Sequence, residues 1–384
     1  MQVQQPEVKT FRQQPELDAL AAWCACKKNA APCAVVACAY PTHNGWAIDE
    51  GAAGHLAPGL DRANTNTIFD LASLTKPFSA LTLARLVRNG ALDWHTPLHA
   101  TLPHAFNTPS AKVPLEWLAA HRSGLESHRP LFAPLELGQA VDRSRAITEA
   151  CFARCQESVA NMPSNDGFPP VYSDLGYLLL GEAMAATARL DLDTLIAREV
   201  CEPLELAARS ARQWRAWDKS FDERVAPTEH VAWRGGMVRG VVHDENAWAI
   251  AQDGVCGHAG LFGTARDVAR LGVAVLDACR GNRPKWLSKD CIEPLVRERQ
   301  GGSLRAGFDG KSLFGSSAGK FCSPATFGHL GFTGTSIWID PSVQVTTVLL
   351  TNRVCPTRDS GLIKKVRPMV HDELFAWGTS HARQ

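Results

Sequence analysis

Ser73 and Lys76 have the residue types and the spacing that nucleophilic chemistry needs, within the run LASLTKPF at residues 71–78. On a helix, residues three positions apart lie on the same face, so Lys76 can reach the Ser73 hydroxyl. A serine hydroxyl is a poor nucleophile until another group takes its proton, and a partly desolvated lysine can do this. The free N–H groups of a helix N-terminus also suit a developing oxyanion. The pattern therefore predicts a nucleophilic serine, with a plain helix N-cap as the alternative role for Ser73.

The helix that positions this pair has recognisable limits. Pro77 suits the first turn, where its missing N–H costs least, so the helix must begin near Ser73. The pair Asn89-Gly90 predicts its end. Ser73 therefore lies at the helix N-terminus, where the proposed chemistry needs it.

The remaining patterns indicate strands at both ends of the chain and helices in the middle. The predicted elements are a helix at 17–28, strands at 33–40 and 46–54 around the turn Asn44-Gly45, helices at 143–160 and 175–188, a helix opened by a capping box at 264–267, strands at 326–332, 336–340 and 343–351, and a helix at 362–377. Short turns between strands favour antiparallel pairing. We therefore predict an α+β fold, an antiparallel sheet flanked by N- and C-terminal helices with an inserted helical domain. Residues 1–72 and 236–384 form the predicted sheet domain, residues 73–235 the helical domain, and the cleft between them the active site.

Composition argues against several classes of function. A formal net charge of +1 gives no bulk attraction to nucleic acid or to an anionic membrane surface. Residues 1–10 are polar, and no apolar run is long enough to span a bilayer, so we expect a cytoplasmic protein without an integral membrane segment, with periplasmic export left open. The 12 cysteines include no Cys-x-x-Cys pair, which favours free thiols. Turn and capping chemistry explains residues 243–246 better than a metal does, and we expect neither a metal nor a cofactor.

Ser73-x-x-Lys76 is followed by a second motif, Tyr172-Ser173-Asp174, and then by a third motif, the sequence His-Leu-Gly at residues 329–331. The order of these motifs resembles that of the class C β-lactamase-like and penicillin-binding-protein-like serine hydrolases, which include esterases and D-Ala-directed peptidases. The resemblance extends over nearly the whole chain, from about residue 33 to residue 373. Further matching segments are residues 67–76, 121–125, 171–181, 257–264, 328–341 and 343–353.

The resemblance implies a role for each matching residue. Ser73 is the nucleophile that becomes acylated, and Lys76 stabilises or accepts its proton. Tyr172 is the expected general base and then acid. The backbone N–H groups of Ser73 and Phe332 form the oxyanion hole, with Phe332 expected on an edge strand. Asp174, His329, Leu330, Gly331 and Arg358 are the candidate substrate-binding residues.

Two of these positions depart from the family pattern. Asp174 replaces the asparagine of the β-lactamases, and its charge should favour the protonated form of Lys76, which shifts the role of base toward Tyr172. It is also a candidate N-cap of the following helix. His329-Leu330-Gly331 replaces Lys-Thr-Gly or His-Thr-Gly, although a register that uses Phe332-Thr333-Gly334 competes with it.

Those departures weaken the recognition of a substrate carboxylate. Leu330 lacks the hydroxyl of threonine, and the charge of His329 depends on pH. Arg358 either restores a positive charge or is a solvated surface arginine.

The sequence therefore predicts a serine hydrolase that acts through an acyl-enzyme on Ser73. Its expected substrates are small esters or amides without that carboxylate. A β-lactamase or a D-alanyl-D-alanine carboxypeptidase is the alternative within enzymes. A penicillin-binding sensor or scaffold without turnover is the alternative of another class. The oligomeric state stays open.

Overall fold

The main sheet combines strands from both ends of the chain. The structure is a computed structural model that describes residues 8–382, and within this range the main sheet has seven strands. In spatial order they are Val8–Gln13, Gly45–Gly54, Cys33–Thr42, Val345–Thr351, Ser336–Asp340, Phe327–Leu330 and Asp309–Gly310. All neighbours pair antiparallel except Val8–Gln13, which runs parallel to Gly45–Gly54. The predicted antiparallel sheet is confirmed, and a parallel edge strand that we did not predict extends it.

Helices cover both faces of this sheet. Pro15–Ala22, which continues as the π-helical turn Trp23–Lys27, packs on one face together with Ile363–His381. Ala265–Cys279 packs on the other face, and it begins with the predicted capping box between Thr264 and Asp267. Because both faces are covered, residues 33–40 are all buried, which explains their unbroken apolar and small-residue sequence.

The middle of the chain is mostly helical. Its helices are Ala72–Leu74 (3₁₀), Thr75–Arg88, Leu98–Thr101, Pro103–Ala105 (3₁₀), Leu115–Ala119, Ala133–Glu136, Arg143–Phe152, Gln156–Ala160, Asp174–Ala188, Leu192–Ile196 with the π-turn Ala197–Cys201, Ala211–Trp217, Phe221–Arg224, Ala232–Arg234 (3₁₀) and Glu245–Ala251, and Lys289–Val296 follows later. Short strands Phe69–Asp70, Leu261–Gly263 and Arg209–Ser210 form a second sheet, and His230–Val231 pairs with Gly236–Met237.

The predicted single helix at 143–160 is wrong. The structure has two helices there, because the intervening segment pairs with another part of the chain. Arg154 forms a β-bridge with Leu125, and its guanidinium donates to the carbonyl oxygen of Ser123. The interruption therefore supports the loop at residues 121–127, which lies beside Tyr172.

Other expectations are only partly addressed by the structure. The division into one domain of residues 1–72 and 236–384 and another of residues 73–235 stays a prediction. One buried cluster contains residues of both parts, Ile48 of the sheet and Phe78 and Leu178 of the helical part. All 12 cysteines carry free thiols. From residue 8 to residue 382, no helix combines the length and the apolar character needed to cross a membrane. The expectation that rests on residues 1–10 falls largely outside the described residues.

Candidate active site

A strained backbone turn presents Ser73 at the start of its helix. The strand Phe69–Asp70 is followed closely by Ala72, a non-glycine residue with φ of +48°. The 3₁₀ turn Ala72–Leu74 then leads into the helix Thr75–Arg88. Asp70 stabilises this turn, since its Oδ1 accepts the N–H of Ala72 at 2.8 Å and its Oδ2 accepts the N–H of His243 at 2.7 Å. Ser73 does not cap the helix with its side chain, so the N-cap alternative is wrong.

Lys76 is fully buried directly beneath the Ser73 hydroxyl. Its Nζ donates to Ser73 Oγ at 2.9 Å, to Asp174 Oδ1 at 2.7 Å and to the carbonyl oxygen of His258 at 3.4 Å. Burial lowers the pKa of Lys76, but the negative charges of Asp174 and of a Tyr172 phenolate outweigh it and leave the pKa raised. The raised pKa favours Lys76 as an ammonium group, whose Nζ donates to Ser73 Oγ.

Tyr172 lies over this ammonium group at the side of the cleft. The Lys76 Nζ is 4.7 Å from the centre of the Tyr172 ring, and Tyr172 as a whole residue is 37% exposed. Packing removes hydration from the phenol and raises the pKa of Tyr172, and Lys76 opposes this rise. The nearby Asp174 carboxylate adds to the rise.

His121 holds the Tyr172 segment in place. Its ring stacks on the Tyr172 ring at 4.6 Å between centres, and its Nδ1 accepts the N–H of Ser173 at 3.0 Å. The carbonyl oxygen of His121 accepts the N–H of Val171 at 2.9 Å. Burial, together with Lys76, keeps the pKa of His121 well below its usual range, so the ring is neutral and acts as an acceptor. These contacts give His121 a structural role beside Tyr172.

Asp174 is not the cap of its helix. Ser173 is the N-cap, because its Oγ accepts the N–H of Gly176 at 3.1 Å, and Asp174 is the first residue of the helix Asp174–Ala188. This frees the Asp174 carboxylate to pair with Lys76.

The third motif lies at the end of the strand Phe327–Leu330, facing Ser73. His329, Leu330, Gly331 and Phe332 all line the cleft, whereas Thr333 is buried and donates to the carbonyl oxygen of Asp70 at 2.8 Å. The register His329-Leu330-Gly331 therefore faces the cleft. Burial, with a further contribution from Lys76, lowers the pKa of His329 to about 3, so this histidine carries no charge at neutral pH.

Phe332 lies in a turn, so its expected place on an edge strand is wrong. The strand ends at Leu330, because Gly331 donates its N–H to the carbonyl oxygen of Thr335 at 2.8 Å and closes the turn. Among the described residues, no acceptor binds the N–H of Phe332 or the N–H of Ser73. Both groups required for an oxyanion hole are thus available.

Arg358 lines the cleft, but its charge is already neutralised. Its Nε donates to Glu229 at 2.6 Å and its Nη2 donates to Glu245 at 2.5 Å. Glu229 also bonds to His243, whose ring stacks on Phe332 at 5.6 Å. This network forms part of the cleft wall, and within it the charge of Arg358 is already paired. No pattern in the sequence indicated that its members would lie together.

The cleft formed by these residues has a volume of about 590 Å³, within the range typical of small-molecule sites. Asp244 lines it and caps the helix Glu245–Ala251, as predicted, by accepting the N–H of Ala247 at 2.8 Å. Within residues 8–382, no three His, Cys, Asp or Glu side chains are grouped so as to hold a metal ion.

Comparison with known proteins places the chain in a family. Residues 29–366 match the model of the family described as Beta-lactamase. The chain is 28% identical over 313 residues to the N-acetylmuramyl-L-alanine amidase of Bacillus subtilis (strain 168), covering 76% of this chain and 69% of the amidase.

Two solved structures show the same fold. One is EstCE1, described as a hydrolase with promiscuous acyltransferase activity, with a TM-score of 0.70, 17% identity and coverage of 94% of this chain and 97% of EstCE1. The other is a penicillin-binding protein homologue from Caulobacter crescentus, with a TM-score of 0.65, 18% identity and coverage of 95% and 98%. With the family match over most of its length, the chain belongs to the beta-lactamase family and is a serine hydrolase.

Proposed function

We propose that the protein hydrolyses carboxylic esters or amides through an acyl-enzyme on Ser73. The observation that carries this proposal is the placement of Ser73 Oγ, which accepts from the buried Lys76 ammonium at 2.9 Å and opens onto the cleft. A nucleophile needs a base and an oxyanion hole in addition. Tyr172 and the N–H groups of Ser73 and Phe332 are positioned to supply them.

The charges around Lys76 determine which group takes the Ser73 proton. Because the Asp174 carboxylate at 2.7 Å keeps Lys76 protonated, Lys76 is not the base, and the Tyr172 phenolate takes the Ser73 proton. Lys76 stabilises that phenolate by its charge. Ser73 Oγ then bonds to the carbonyl carbon, and the oxyanion forms toward the two N–H groups.

Collapse of this intermediate breaks the bond to the leaving alcohol or amine, which receives the proton from Tyr172. Water then attacks the acyl carbon while Tyr172 takes a proton from it. The bond between Ser73 Oγ and the acyl carbon breaks, Tyr172 returns the proton to Ser73, and the acid is released. Every proton moves between Tyr172, Ser73, water and the leaving group, so the cycle closes without another reactant.

The wall opposite Ser73 favours substrates that need no cation at the third motif. His329 is neutral at neutral pH, Leu330 offers no hydroxyl, and Arg358 is paired with Glu229 and Glu245. These features favour esters and amides over β-lactams. The description of EstCE1 as a hydrolase is compatible with this choice.

A β-lactamase or D-alanyl-D-alanine carboxypeptidase remains the alternative, and its support is the match to the beta-lactamase family and the likeness to an amidase. Turnover of p-nitrophenyl esters and of a chromogenic cephalosporin by the same preparation separates these functions. We expect ester cleavage that disappears in Ser73→Ala. Rapid cephalosporin turnover without ester cleavage would contradict the preferred function.

A sensor or scaffold would behave differently in both assays. Exposure to penicillin would leave a lasting adduct on a sensor, detected by intact-mass spectrometry, without turnover of any ester. In a pure scaffold, Ser73→Ala would change nothing measurable.

A further inference from the structure

The two N–H groups of the proposed oxyanion hole lie on segments that are far apart in sequence. Ser73 follows the strand Phe69–Asp70, whereas Phe332 lies in the turn at residues 331–335, which we call the oxyanion turn. A donor contributes to an oxyanion hole only when it is aimed at the position where the charge develops, and a displacement of about 1 Å can cost about a hundredfold in rate. The reaction therefore needs contacts that hold the two segments in register.

Two buried threonine hydroxyls join the oxyanion turn to the backbone that precedes the nucleophile. Thr333 Oγ1 donates to the carbonyl oxygen of Asp70 at 2.8 Å, and Thr335 Oγ1 donates to the carbonyl oxygen of Leu71 at 3.0 Å. Neither threonine is more than 1% exposed, so the surrounding solvent does not supply a substitute for either bond. Two bonds to consecutive carbonyl groups restrict the turn more than one bond can, because rotation about a single contact would remain possible.

His243 provides a third connection between the two segments. Its backbone N–H donates to Asp70 Oδ2 at 2.7 Å, and Asp70 Oδ1 accepts the N–H of Ala72 at 2.8 Å. The His243 ring lies 5.6 Å from the Phe332 ring between centres, with 22° between the two planes. One carboxylate thus joins the strained residue before Ser73 to a histidine that stacks on the second donor residue.

Glu229 fixes the orientation of the His243 ring. Its Oε2 lies 3.0 Å from His243 Nε2, and His243 is 2% exposed. Burial opposes ionisation of Glu229, but its hydrogen bonds and the charge of Arg358 outweigh it and lower the pKa to about 2, so the group is a carboxylate that only accepts. His243 Nε2 therefore carries the proton and donates it to this bond, which keeps the ring from turning away from Phe332.

We propose that a frame of four buried side chains holds the N–H of Phe332 in register with the N–H of Ser73. The members of this oxyanion frame, each 2% exposed or less, are Asp70, His243, Thr333 and Thr335. They are positioning residues, because they act on the reaction through the two donor residues. The inference rests on the proposed function, since an oxyanion hole has a purpose only if Ser73 attacks a carbonyl group.

The oxyanion frame gives a role to residues that the reaction steps do not use. The register Phe332-Thr333-Gly334 competes in sequence with the third motif, but its threonine binds backbone rather than facing the cleft. His243 begins the segment 243–246, which invited a metal assignment, and it binds Glu229 and stacks on Phe332 instead.

Replacement of a threonine by valine tests the frame, because valine keeps the shape of the side chain and removes the hydroxyl. With a neutral p-nitrophenyl ester, Thr333→Val should lower kcat about tenfold to a hundredfold and change KM less than about twofold, since the frame acts on the developing oxyanion. Thr333→Ser restores a hydroxyl and should recover most of kcat. Thr82→Val is the matched control and should keep the wild-type kcat. Its buried hydroxyl donates to the carbonyl oxygen of Phe78 at 2.9 Å within the helix Thr75–Arg88, outside the oxyanion turn.

The carbonyl stretch of the acyl-enzyme separates positioning from a general loss of stability. Hydrogen bonds from the two N–H groups draw electron density toward the carbonyl oxygen and lower the stretching frequency. Isotope-edited infrared spectra with a p-nitrophenyl ester labelled with ¹³C at its carbonyl should place the band at higher frequency in Thr333→Val than in wild type. Thr82→Val should keep the wild-type band even if its melting temperature falls. A Thr333→Val variant with unchanged kcat and an unchanged band would overturn the frame.

The contribution of His243 is tested by its ring. His243→Phe keeps a ring against Phe332 and His243→Leu does not, so the phenylalanine variant should retain more of kcat and a band closer to that of wild type. Equal losses in the two variants would exclude His243 from the frame. If Thr333→Val does not fold, Thr335→Val replaces it with the same expected result. Absence of an acyl group on Ser73 in wild type would refute the proposed function, whereas an acyl-enzyme that is indifferent to both threonines refutes only the frame.

Discussion

Asp174 sets the charge state of the proposed catalytic pair, and Asp174→Asn removes its charge while keeping the size of the side chain. In the structure the Asp174 carboxylate lies 2.7 Å from Lys76 Nζ. It raises the pKa of Lys76, and its negative charge also raises the pKa of Tyr172 by opposing the phenolate. Both pKa values should therefore fall in the asparagine variant.

The size of the effect follows from the distance and the exposure of the pair. Two unit charges at the 2.7 Å of this pair attract by about 6 kcal/mol in an effective dielectric of about 20. The Asp174 side chain is 23% exposed, so solvent screens part of this attraction. Neighbouring opposite charges shift pKa values by about 1–3 units, and each unit corresponds to about 1.4 kcal/mol.

The assay is the pH dependence of kcat/KM with a neutral p-nitrophenyl ester. In our account, activity rises as Tyr172 loses its proton and falls as Lys76 loses its own, and the two limbs report the apparent pKa values of the coupled pair. Because both pKa values fall in Asp174→Asn, the whole profile should move to lower pH by about 1–3 units.

Asp174→Glu keeps the charge and is the control, and we expect it to keep the wild-type pH profile of kcat/KM. An Asp174→Asn profile that stays in place or moves to higher pH would refute the assignment of Lys76 as the cation and of Tyr172 as the base.

Three further predictions concern the base, the turn and the wall of the cleft. Tyr172→Phe should lower kcat by about 10²–10⁴-fold with little change in melting temperature, and near-normal kcat would exclude a phenolic base. Gly334→Ala should lower both melting temperature and kcat, because Gly334 has φ of +107° and an added Cβ would lie 2.1 Å from Thr351 Oγ1; an unaffected variant would show that the turn tolerates a side chain. Burial opposes ionisation of Glu229, but its hydrogen bonds and the charge of Arg358 outweigh it and lower the pKa to about 2. Since the folded pKa lies below the unfolded one, Glu229→Gln should cost about 1–2 kcal/mol above pH 5, after allowance for the partial exposure of Arg358, and this cost should vanish as pH falls through about 2; a cost that is independent of pH would contradict the charge pairing.

Local patterns were sufficient for the elements that carry the site. Pro77 located the start of its helix, the turn Asn44-Gly45 joined two strands, and the capping box at Thr264 opened a helix, and each of these agrees with the structure. The spacing of Ser73 and Lys76 predicted their contact, because a helical turn fixes the relative position of such residues.

Features that depend on tertiary contacts could not be predicted in this way. The strand Val8–Gln13 forms through parallel pairing with Gly45–Gly54. No local sequence pattern predicts this pairing. The break near Arg154 comes from its bridge to Leu125. The neutralisation of Arg358 depends on two carboxylates that are more than a hundred residues away in sequence.

The charge states of the residues in the cleft could not be predicted from the sequence either. A histidine in place of lysine suggested a pH-dependent cation, but burial lowers the pKa of His329 to about 3 and removes that charge at neutral pH.

The measurement that tests the central claim most directly is the mass of the protein during turnover of a slowly hydrolysed p-nitrophenyl ester. Rapid quenching followed by proteolysis and mass spectrometry should find the acyl group on the peptide that contains Ser73, and the Ser73→Ala variant should carry none. The adduct should form with a burst of one equivalent of p-nitrophenol per active site and then decay with the rate of turnover. An acyl group on another residue, or full turnover by Ser73→Ala, would contradict the account.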